Sequence, residues 1–274
     1  QHKIDVVVGF GGYASAPAYL AASRSKVALV IHEANALPGF ANRLGARRAS
    51  AVAVAFSNTK LAAPRGGKPE HTGMPLRPEI EALLGAPRDP AAAKHFGLSS
   101  EQPILLVTGG SLGARSINNA VDASRNVLSA AGIQVLHIVG EKSELPLLDE
   151  PTFKRIAYCD RMDLAISCAS FALSRAGAST VSEFAAVGLP AAYVPYPVGN
   201  GEQRFNVESL VGAGGGILVE DKDLNADWVA STLVPLISNH RALAEMAKKA
   251  KANGIGDASE RLYRLVRGVL AERQ

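Results

Sequence analysis

The sequence predicts an α/β fold with two parallel sheets, each covered by helices. Short aliphatic runs alternate with helical stretches along the chain. The runs are apolar on both faces, which is typical of parallel strands buried between helical layers. A proline-rich stretch from Pro64 to Pro90 separates two such sets. Because proline disfavours the continuation of a helix or a central strand, this stretch indicates a domain boundary.

The first set contains three predicted strands, a weaker fourth candidate and two helices. A doubly wound half carries about six strands, so we expect several further strands to precede residue 1. The strands are Ile4–Val8, Val27–Ile31 and Ala51–Ala55, with the fourth candidate near Glu70–Gly73, and the helices lie near Ala16–Ala22 and Gly39–Arg47.

The second set contains six predicted strands: Ile104–Thr108, Gln134–Val139, Arg155–Cys159, Phe171–Ser174, Ala191–Pro195 and Gly216–Glu220. Its clearest helices are Ser179–Val187 and Gln203–Val211. A last helix, from about Ser259 to Glu272, has the apolar spacing of a helix docked on a core. That stripe consists of Leu262, Leu265, Val266, Val269 and Leu270. The two sets resemble two Rossmann-like halves, the first of them incomplete.

Composition excludes several classes of protein. The 274 residues are 47% hydrophobic and 20% charged, which is ordinary for a globular chain, and the net charge is +4. This mild excess fits a phosphate-bearing ligand or an anionic membrane surface. The sequence has no Lys/Arg tract with interleaved aromatics, so it does not indicate nucleic-acid binding. Cys159 and Cys168 match no zinc or redox motif, which favours reduced thiols in a cytoplasmic protein and no metal site.

Two glycine-rich turns each follow a strand and precede a helix. They are Gly9–Ser15, after the first strand, and Gly109–Arg115, after Ile104–Thr108. Glycine lets backbone N–H groups approach a ligand closely, and a helix start adds unpaired donors and a partial positive charge. Turn geometry alone explains a single such motif. Two in tandem favour phosphate binding, with Ser111 either capping the helix or donating to a phosphate.

A third turn, Arg175 to Glu183, has the same strand–glycine–helix order. Ser179 or Thr180 is a candidate helix N-cap, and Glu183 would then complete a capping box. The functional alternative is that Glu183 accepts hydrogen bonds from a pair of ribose hydroxyls, as acidic residues do in dinucleotide folds.

Other candidates carry less information. His32 ends a predicted strand, where open α/β sheets place ligand groups, although a strand-end histidine is more often structural. Asp221-Lys222-Asp223 has an Asp-x-Asp pattern, but a solvated turn explains it better. The sequence contains neither a Gly-x-Ser-x-Gly motif nor a Walker lysine motif, which weakens the hydrolase and kinase interpretations.

Several segments together resemble glycosyltransferase family 28, in the family's order and as far as about residue 220. The sequences near Asn200–Gln203 and Asp160–Asp163 are similar to those of the actinobacterial members of the family. The segments are Gly11–Pro17, His32–Asn35, Gly109–Ala114, Arg175–Glu183, Gly188–Ala191 and Gly199–Asn206.

This resemblance implies the GT-B fold, with two Rossmann-like domains and a cleft between them. It implies inverting transfer of N-acetylglucosamine from UDP-GlcNAc to lipid I, giving lipid II for peptidoglycan. It further implies peripheral attachment to the cytoplasmic face of the cell membrane, with no cofactor. Residues 1–76, with the helix 257–274 packed back on them, would form the acceptor and membrane side. Residues 77–256 would bind UDP-GlcNAc.

The resemblance also implies residue roles. Ser111 and the turn Ala178, Ser179, Thr180, Val181, Ser182 and Glu183 would hold the diphosphate and ribose of UDP. The Cys159 backbone would pair with uracil beside Tyr158. Gln203 would bind the sugar, and Arg77 would meet the phosphates. Asn35 would contact the donor from the first domain. The acceptor diphosphate would lie at Gly11, Gly12, Tyr13 and Ser15. Apart from the resemblance, His32 and Glu33 are the candidates for the catalytic base, because they follow a predicted strand near the expected acceptor site.

The sequence departs from the family pattern at several positions, and three alternatives stay open. Leu112 stands where the family usually has Gln, and Ala176 where Ser is common. The family's first glycine-rich loop, which ends in a histidine proposed to serve the acceptor, is not in this sequence. The alternatives are a UDP-GlcNAc 2-epimerase-like isomerase, a glycosyltransferase for another lipid, and a non-catalytic nucleotide-sugar-binding module.

Overall fold

The computed structural model describes residues 3–87 and 89–272. The last two residues of the predicted C-terminal helix, 273 and 274, lie outside that range. The chain divides into two units. Unit 1 comprises Gln1–Leu76 and Ile255–Gln274, and unit 2 comprises Arg77–Gly254.

Eleven strands alternate with helices in the described residues. The strands are β1 (Val6–Gly9), β2 (Ala28–Glu33), β3 (Ala51–Val54), β4 (Glu70–His71), β5 (Ile104–Thr108), β6 (Gln134–Ile138), β7 (Leu148–Glu150), β8 (Phe153–Ile156), β9 (Phe171–Arg175), β10 (Ala191–Val194) and β11 (Gly216–Leu218).

The helices are α1 (Ser15–Arg24), α2 (Phe40–Ala46), α3 (Pro78–Glu81), α4 (Pro90–His95), α5 (Arg115–Ala123), α6 (Arg125–Ala130), α7 (Met162–Cys168), α8 (Ala178–Val187), α9 (Glu202–Gly212), α10 (Ala226–Trp228), α11 (Val234–Ser238), α12 (His240–Asn253) and α13 (Ala258–Ala271). A π-helical segment, Val229–Leu233, joins α10 to α11. None of the described helices has both the length and the apolar character that crossing a bilayer requires.

Unit 1 is a four-stranded parallel sheet with the order β1-β2-β3-β4. Successive side chains of a strand point to opposite faces, and β2 follows this rule. Leu29 and Ile31 pack against α1 and α2, whereas Ala28 and Val30 pack against α13. The predicted stripe on α13 contacts this second face through four of its members, Leu262, Leu265, Val266 and Val269.

Unit 2 is a seven-stranded sheet with the order β11-β10-β9-β5-β6-β8-β7. All its strands are parallel except β7, which runs antiparallel to β8. From β5 the chain first builds outwards through β6 and then returns to place β9 on the other side of β5. Open α/β sheets bind ligands at such a reversal of strand order, beyond the carboxyl ends of the strands. The topology therefore locates the candidate site at the ends of β5 and β9.

The sequence-based strand at Arg155–Cys159 was placed too late, and β7 was missed. The observed β8 is Phe153–Ile156, and its Arg155 side chain is fully buried. Arg155 is buried because its guanidinium donates to Asp122 and to the Pro146 carbonyl oxygen, 3.1 Å away. Charged residues inside β7 and β8 break the aliphatic pattern, so hydropathy alone does not detect these strands.

Candidate functional site

A cavity of about 870 Å³ lies at the reversal between β5 and β9, within unit 2. Its walls come from the end of β5, the glycine-rich loop, the starts of α5 and α8, and the segments after β9, β10 and β11. The lining residues are Thr108, Gly109, Gly110, Ser111, Leu112, Gly113, Ala114, Arg115, Ser116, Asn119, Arg175, Gly177, Thr180, Tyr196, Gln203 and Asp221. Three residues predicted to bind the donor, Ser111, Thr180 and Gln203, are among them.

Two helix N-termini meet at this cavity. In α5 the first backbone bond closes from Asn118 N–H to Ala114, and in α8 from Val181 N–H to Gly177. The amides before these positions have no partner inside the helix, and they carry the positive end of the helix dipole. The arrangement is an anion-binding site with donors from two directions.

The predicted caps are wrong. The N-cap of α5 is Ala114 and that of α8 is Gly177, and neither uses a side chain. Ser111 lies three residues before its helix cap, inside the loop. Ser179 and Thr180 lie within the first turn of α8, so they cannot form a capping box with Glu183.

The glycine-rich loop is fixed by a second loop that follows β6. A Cβ added to Gly113 would lie 2.1 Å from the Val139 carbonyl oxygen, and one added to Gly140 would lie 2.2 Å from the Gly113 nitrogen. Both glycines have positive φ, 77° and 87°. The two backbones therefore approach each other as only glycine allows.

A half-buried ion pair forms one wall of the cavity. Arg175 Nη1 lies 2.5 Å from Asp221 Oδ1, and the two side chains are only 13% and 22% exposed. Ser116 joins them, donating to Asp221 over 2.6 Å and accepting from Arg175 over 3.0 Å. The predicted turn is present at 221–223 and its Lys222 and Asp223 are exposed, but Asp221 is not solvated as expected, because its carboxylate pairs with Arg175. Arg175 ends a strand, which is a local signal for a site residue, and the Asp-x-Asp pattern singled out Asp221 without indicating its partner.

In the side-chain amide of Gln203, the oxygen already accepts hydrogen bonds, whereas the nitrogen can still donate. Its Oε1 accepts from the amides of Ala176, at 3.2 Å, and Tyr196, at 3.0 Å. Among the described residues its Nε2 group has no hydrogen-bond partner, so it is the end that can donate to a ligand.

Arg77 and Glu183 form a bidentate pair. Arg77 Nε and Nη2 lie 2.9 and 3.1 Å from the two oxygens of Glu183, whose side chain is 10% exposed. The hydrogen bond with Glu183 raises the pKa of Arg77, and Tyr158 adds to the rise. A carboxylate has about four lone-pair sites, so the pair leaves acceptor capacity on Glu183. Arg77, however, already has its charge neutralised.

The side chains of two other residues predicted to bind the sugar donor, Val181 and Cys159, are buried. Val181 is 2% exposed and its amide is bonded to Gly177, so neither group can reach a ligand. Cys159 is buried, and burial raises the pKa of its thiol. Tyr158 beside it is 53% exposed. Ala178 and Ser179 share the first turn of α8 with Thr180, and Ser182 follows in the next turn.

His32 and Glu33, the predicted bases, have structural partners inside unit 1. His32 is fully buried and donates from Nε2 to the Gly73 carbonyl oxygen over 2.8 Å. Burial lowers its pKa. Glu33 is 3% exposed and accepts from the Asn35 amide, the Gly39 amide and Asn42 Nδ2, each at 2.9 Å. The structure therefore makes Glu33 an anchor for the start of α2, and the assignment of either residue as the base stays a prediction.

Two groups of the first glycine-rich turn, in unit 1, form hydrogen bonds within that unit. The Gly11 amide donates to the Tyr19 hydroxyl over 3.0 Å, and Ser15 Oγ donates to the Gly11 carbonyl oxygen. Gly11 and Gly12 have φ of 89° and 84°, and Tyr13 is 86% exposed. The acceptor assignment of this turn stays a prediction.

No group of three or more His, Cys, Asp or Glu residues within 3–87 and 89–272 is arranged to hold a metal ion.

Comparisons with known proteins agree with this geometry. A model of the glycosyltransferase family 28 C-terminal domain matches residues 104–262, and one of the N-terminal domain matches residues 1–54. Two relatives carry the name UDP-N-acetylglucosamine–N-acetylmuramyl-(pentapeptide) pyrophosphoryl-undecaprenol N-acetylglucosamine transferase. The protein from Leifsonia xyli is 52% identical over 264 residues, 96% of this chain and 72% of the relative. The protein from Clavibacter sepedonicus is 53% identical over 274 residues, 100% of this chain and 73% of the relative.

Solved structures give the same picture. MurG of Acinetobacter baumannii is 26% identical and superposes with a TM-score of 0.71, over 96% of this chain and 73% of that one. A putative UDP-N-acetylglucosamine 2-epimerase from Listeria monocytogenes has a TM-score of 0.63 over 94% of this chain and 72% of that one. At 15% identity it shows a shared fold alone.

Proposed function

The chain belongs to glycosyltransferase family 28, and from that premise we propose that it transfers N-acetylglucosamine from UDP-GlcNAc to lipid I, giving lipid II. Its fold is the GT-B fold that the sequence predicts, with parallel-sheet Rossmann-like domains. The relatives' name states this transfer for those proteins, and their identity of about half over nearly the whole chain supports the same reaction here.

The convergence of two helix N-termini at the β5–β9 reversal is the observation that carries the proposal. The diphosphate of UDP-GlcNAc is the anionic part of the donor, and it would accept hydrogen bonds from the first-turn amides of α5 and α8. Ser111 and Thr180 line the same cavity, and Gln203 Nε2 would donate to the sugar hydroxyls.

The reaction is a single displacement at the anomeric carbon, which inverts its configuration. The acceptor hydroxyl oxygen attacks, the bond from the anomeric carbon to the UDP oxygen breaks, and UDP leaves with the electron pair. A base takes the hydroxyl proton. Fixed amide dipoles stabilise the charge that develops on UDP without reorganising during the reaction. Because Arg77 is paired with Glu183, we assign this stabilisation mainly to the helix amides.

The nucleoside end of the donor is assigned by position. Glu183 would accept from the ribose hydroxyls with its remaining lone pairs, and the Cys159 backbone would meet uracil beside the exposed Tyr158. Asn35 as a donor contact, and Gly11, Gly12, Tyr13 and Ser15 as the acceptor diphosphate site, remain part of the proposal.

Attachment to the cytoplasmic face of the membrane follows from a lipid-linked acceptor. Unit 1 offers a surface that fits this role, which we call the α2 basic surface: Phe40, Arg43, Arg47 and Arg48. Phe40 is 66% exposed and the three arginines are exposed. No carboxylate in the described residues forms an ion pair with these arginines. Basic and apolar groups together suit an anionic lipid surface.

A transfer assay separates this function from its alternatives. The protein is incubated with UDP-GlcNAc and lipid I in detergent, and the lipid product is analysed by mass spectrometry. One added N-acetylhexosamine together with release of UDP supports the proposal. Formation of UDP-ManNAc without acceptor would indicate the isomerase, turnover only with another lipid would indicate a different transferase, and UDP-GlcNAc binding without turnover would indicate a binding module.

A further inference from the structure

The Arg175–Asp221 wall of the cavity is not explained by diphosphate binding, since its cation is already neutralised. We propose that Asp221 is a positioning residue for the donor sugar, acting through Arg175 and the segment after β10 on Gln203. This inference rests on the proposed function, because it assigns the sugar part of UDP-GlcNAc to the same cavity.

Asp221 is fixed by two donors on one oxygen. Its Oδ1 accepts from Arg175 Nη1 over 2.5 Å and from Ser116 Oγ over 2.6 Å. Ser116 lies in the first turn of α5, so the carboxylate connects the end of β11 with the start of the helix that lines the cavity. Charge-assisted hydrogen bonds in a largely buried setting are the strong ones.

Arg175 passes this constraint to the segment after β10. Its Nη1 donates to the Val194 and Pro195 carbonyl oxygens, both at 3.2 Å. Its guanidinium also lies over the Tyr196 ring, 5.5 Å from the centroid. The guanidinium therefore holds three consecutive residues at the point where the chain leaves the sheet towards α9.

Gln203 closes the same segment from its far end. Its Oε1 accepts from the Tyr196 amide on one side and from the Ala176 amide, next to Arg175, on the other. The direction of Nε2 thus depends on where Tyr196 and Ala176 lie. The Arg175 guanidinium holds the first of these, and Ala176 directly follows Arg175 in the chain.

Removing the carboxylate would change what Arg175 does. A guanidinium that is 13% exposed and lacks its counter-ion keeps an uncompensated charge, which is unfavourable where water reaches the group only in part. It would lose its fixed position and release the Val194 and Pro195 carbonyl oxygens. Gln203 would then lose its fixed geometry, while the helix amides that bind the diphosphate would stay in place.

The test compares UDP with UDP-GlcNAc, because only the latter carries the sugar. Calorimetric affinities are measured for both ligands with the wild type, Asp221→Asn and the control Asp223→Asn, an exposed carboxylate in the same turn. We expect Asp221→Asn to weaken UDP-GlcNAc about 10-fold and UDP less than about 2-fold, the order expected when a hydrogen bond to a sugar is lost. Asp223→Asn should match the wild type. Equal loss for both ligands, or no loss, would overturn the inference.

A double-mutant cycle with Gln203→Ala tests whether Asp221 acts through Gln203. Gln203→Ala should weaken UDP-GlcNAc with little change for UDP, and adding Asp221→Asn should cause no further loss for UDP-GlcNAc. Additive losses would mean that Asp221 contacts the sugar itself, against the proposal. If Asp221→Asn does not fold, Ser116→Ala removes one of its two donors and should show a smaller sugar-specific loss. A wild type that binds neither ligand would instead contradict the proposed function.

Discussion

At the scale of single residues, Glu183 shows how one side chain holds two roles. A capping box was one interpretation of its position, but the structure places its carboxylate against Arg77 with about half of its acceptor capacity free. Arg77 then holds the carboxylate in one orientation, which a ribose contact requires. We therefore propose that Arg77 mainly orients Glu183 and contacts the phosphates only secondarily.

Ribose recognition by Glu183 gives the first prediction. The wild type should bind UDP more tightly than 2′-deoxy-UDP, and Glu183→Ala should lose that preference together with at least about 10-fold in UDP affinity, since hydrogen bonds to a charged group contribute roughly 1.5–3 kcal/mol. Calorimetry with the two nucleotides measures both effects. Glu79→Ala, which removes the other carboxylate near Arg77, 3.6 Å away, is the control. A preference for UDP that survives Glu183→Ala would contradict the ribose assignment.

His137 is a second residue whose setting has a measurable consequence. It is fully buried on β6, with Nε2 3.1 Å from Asn118 Oδ1, and burial lowers its pKa to about 3. Between that value and its ordinary pKa of 6.5, the unfolded chain binds a proton that the folded chain does not. Stability therefore rises with pH in this window and is lost as pH falls below about 6.5.

The second prediction is a pH slope of the free energy of unfolding. From about pH 7.5 to about pH 5.5, His137 alone should remove about 1.4 kcal/mol of stability. His137→Gln should flatten the slope by that amount in urea unfolding, while His95→Asn, on an exposed position of α4, should leave it as in the wild type. An unchanged slope in His137→Gln would show that this histidine does not stay neutral in the fold.

At the scale of elements, the two loops after β5 and β6 behave as one unit. Gly113 and Gly140 bring their backbones into contact, and the Glu141 amide donates to the Ser111 carbonyl oxygen over 3.4 Å. Behind this contact, Asn118 of α5 donates to the Val139 carbonyl oxygen over 2.9 Å. The shape of the proposed diphosphate loop thus depends on a neighbouring loop that does not line the cavity.

The third prediction concerns that contact. Gly140→Ala should destabilise the protein by about 1–2 kcal/mol through its positive φ and by about 1–3 kcal/mol more through the clash with Gly113, and it should weaken UDP binding. Gly132→Ala shares the positive φ of 70° but meets no atom within 4 Å, so it should show the first cost only. Denaturant unfolding and calorimetry provide the two readouts. Equal costs for the two variants would contradict the close approach.

At the scale of the whole molecule, the net charge is +4, and the basic residues differ in whether they form ion pairs. On α13, Arg261 and Arg264 pair with acids one helical turn away, at 2.8 and 2.7 Å. The α2 basic surface has no such pairs in the described part of the chain. Unpaired arginines beside an exposed phenylalanine are better placed to meet an anionic surface than paired ones, because no internal carboxylate competes with the lipid.

The fourth prediction is therefore a difference in vesicle binding. Arg43→Glu with Arg47→Glu should weaken binding to vesicles with anionic lipid by at least about 10-fold, since each basic residue near such a surface contributes roughly 1 kcal/mol. Arg264→Glu with Arg267→Glu carries the same net change on α13 and should bind nearly as well as the wild type. Co-sedimentation at low salt measures both. Equal weakening would show that only net charge matters.

Most of the parallel strands, the glycine-rich turns and the candidates Ser111 and Thr180 could be predicted from the sequence, because a strand, a turn and a helix start are local features of the chain. The role of Gln203 came from the resemblance to the family. Only the tertiary structure decided that Asp221 meets Arg175 across 46 positions and that Glu183 meets Arg77 across 106. It also decided that His32 and Glu33 turn inwards to structural partners. Such contacts depend on which strands become neighbours, and the return of β9 to the side of β5 is a property of the whole sheet that no short stretch of sequence encodes.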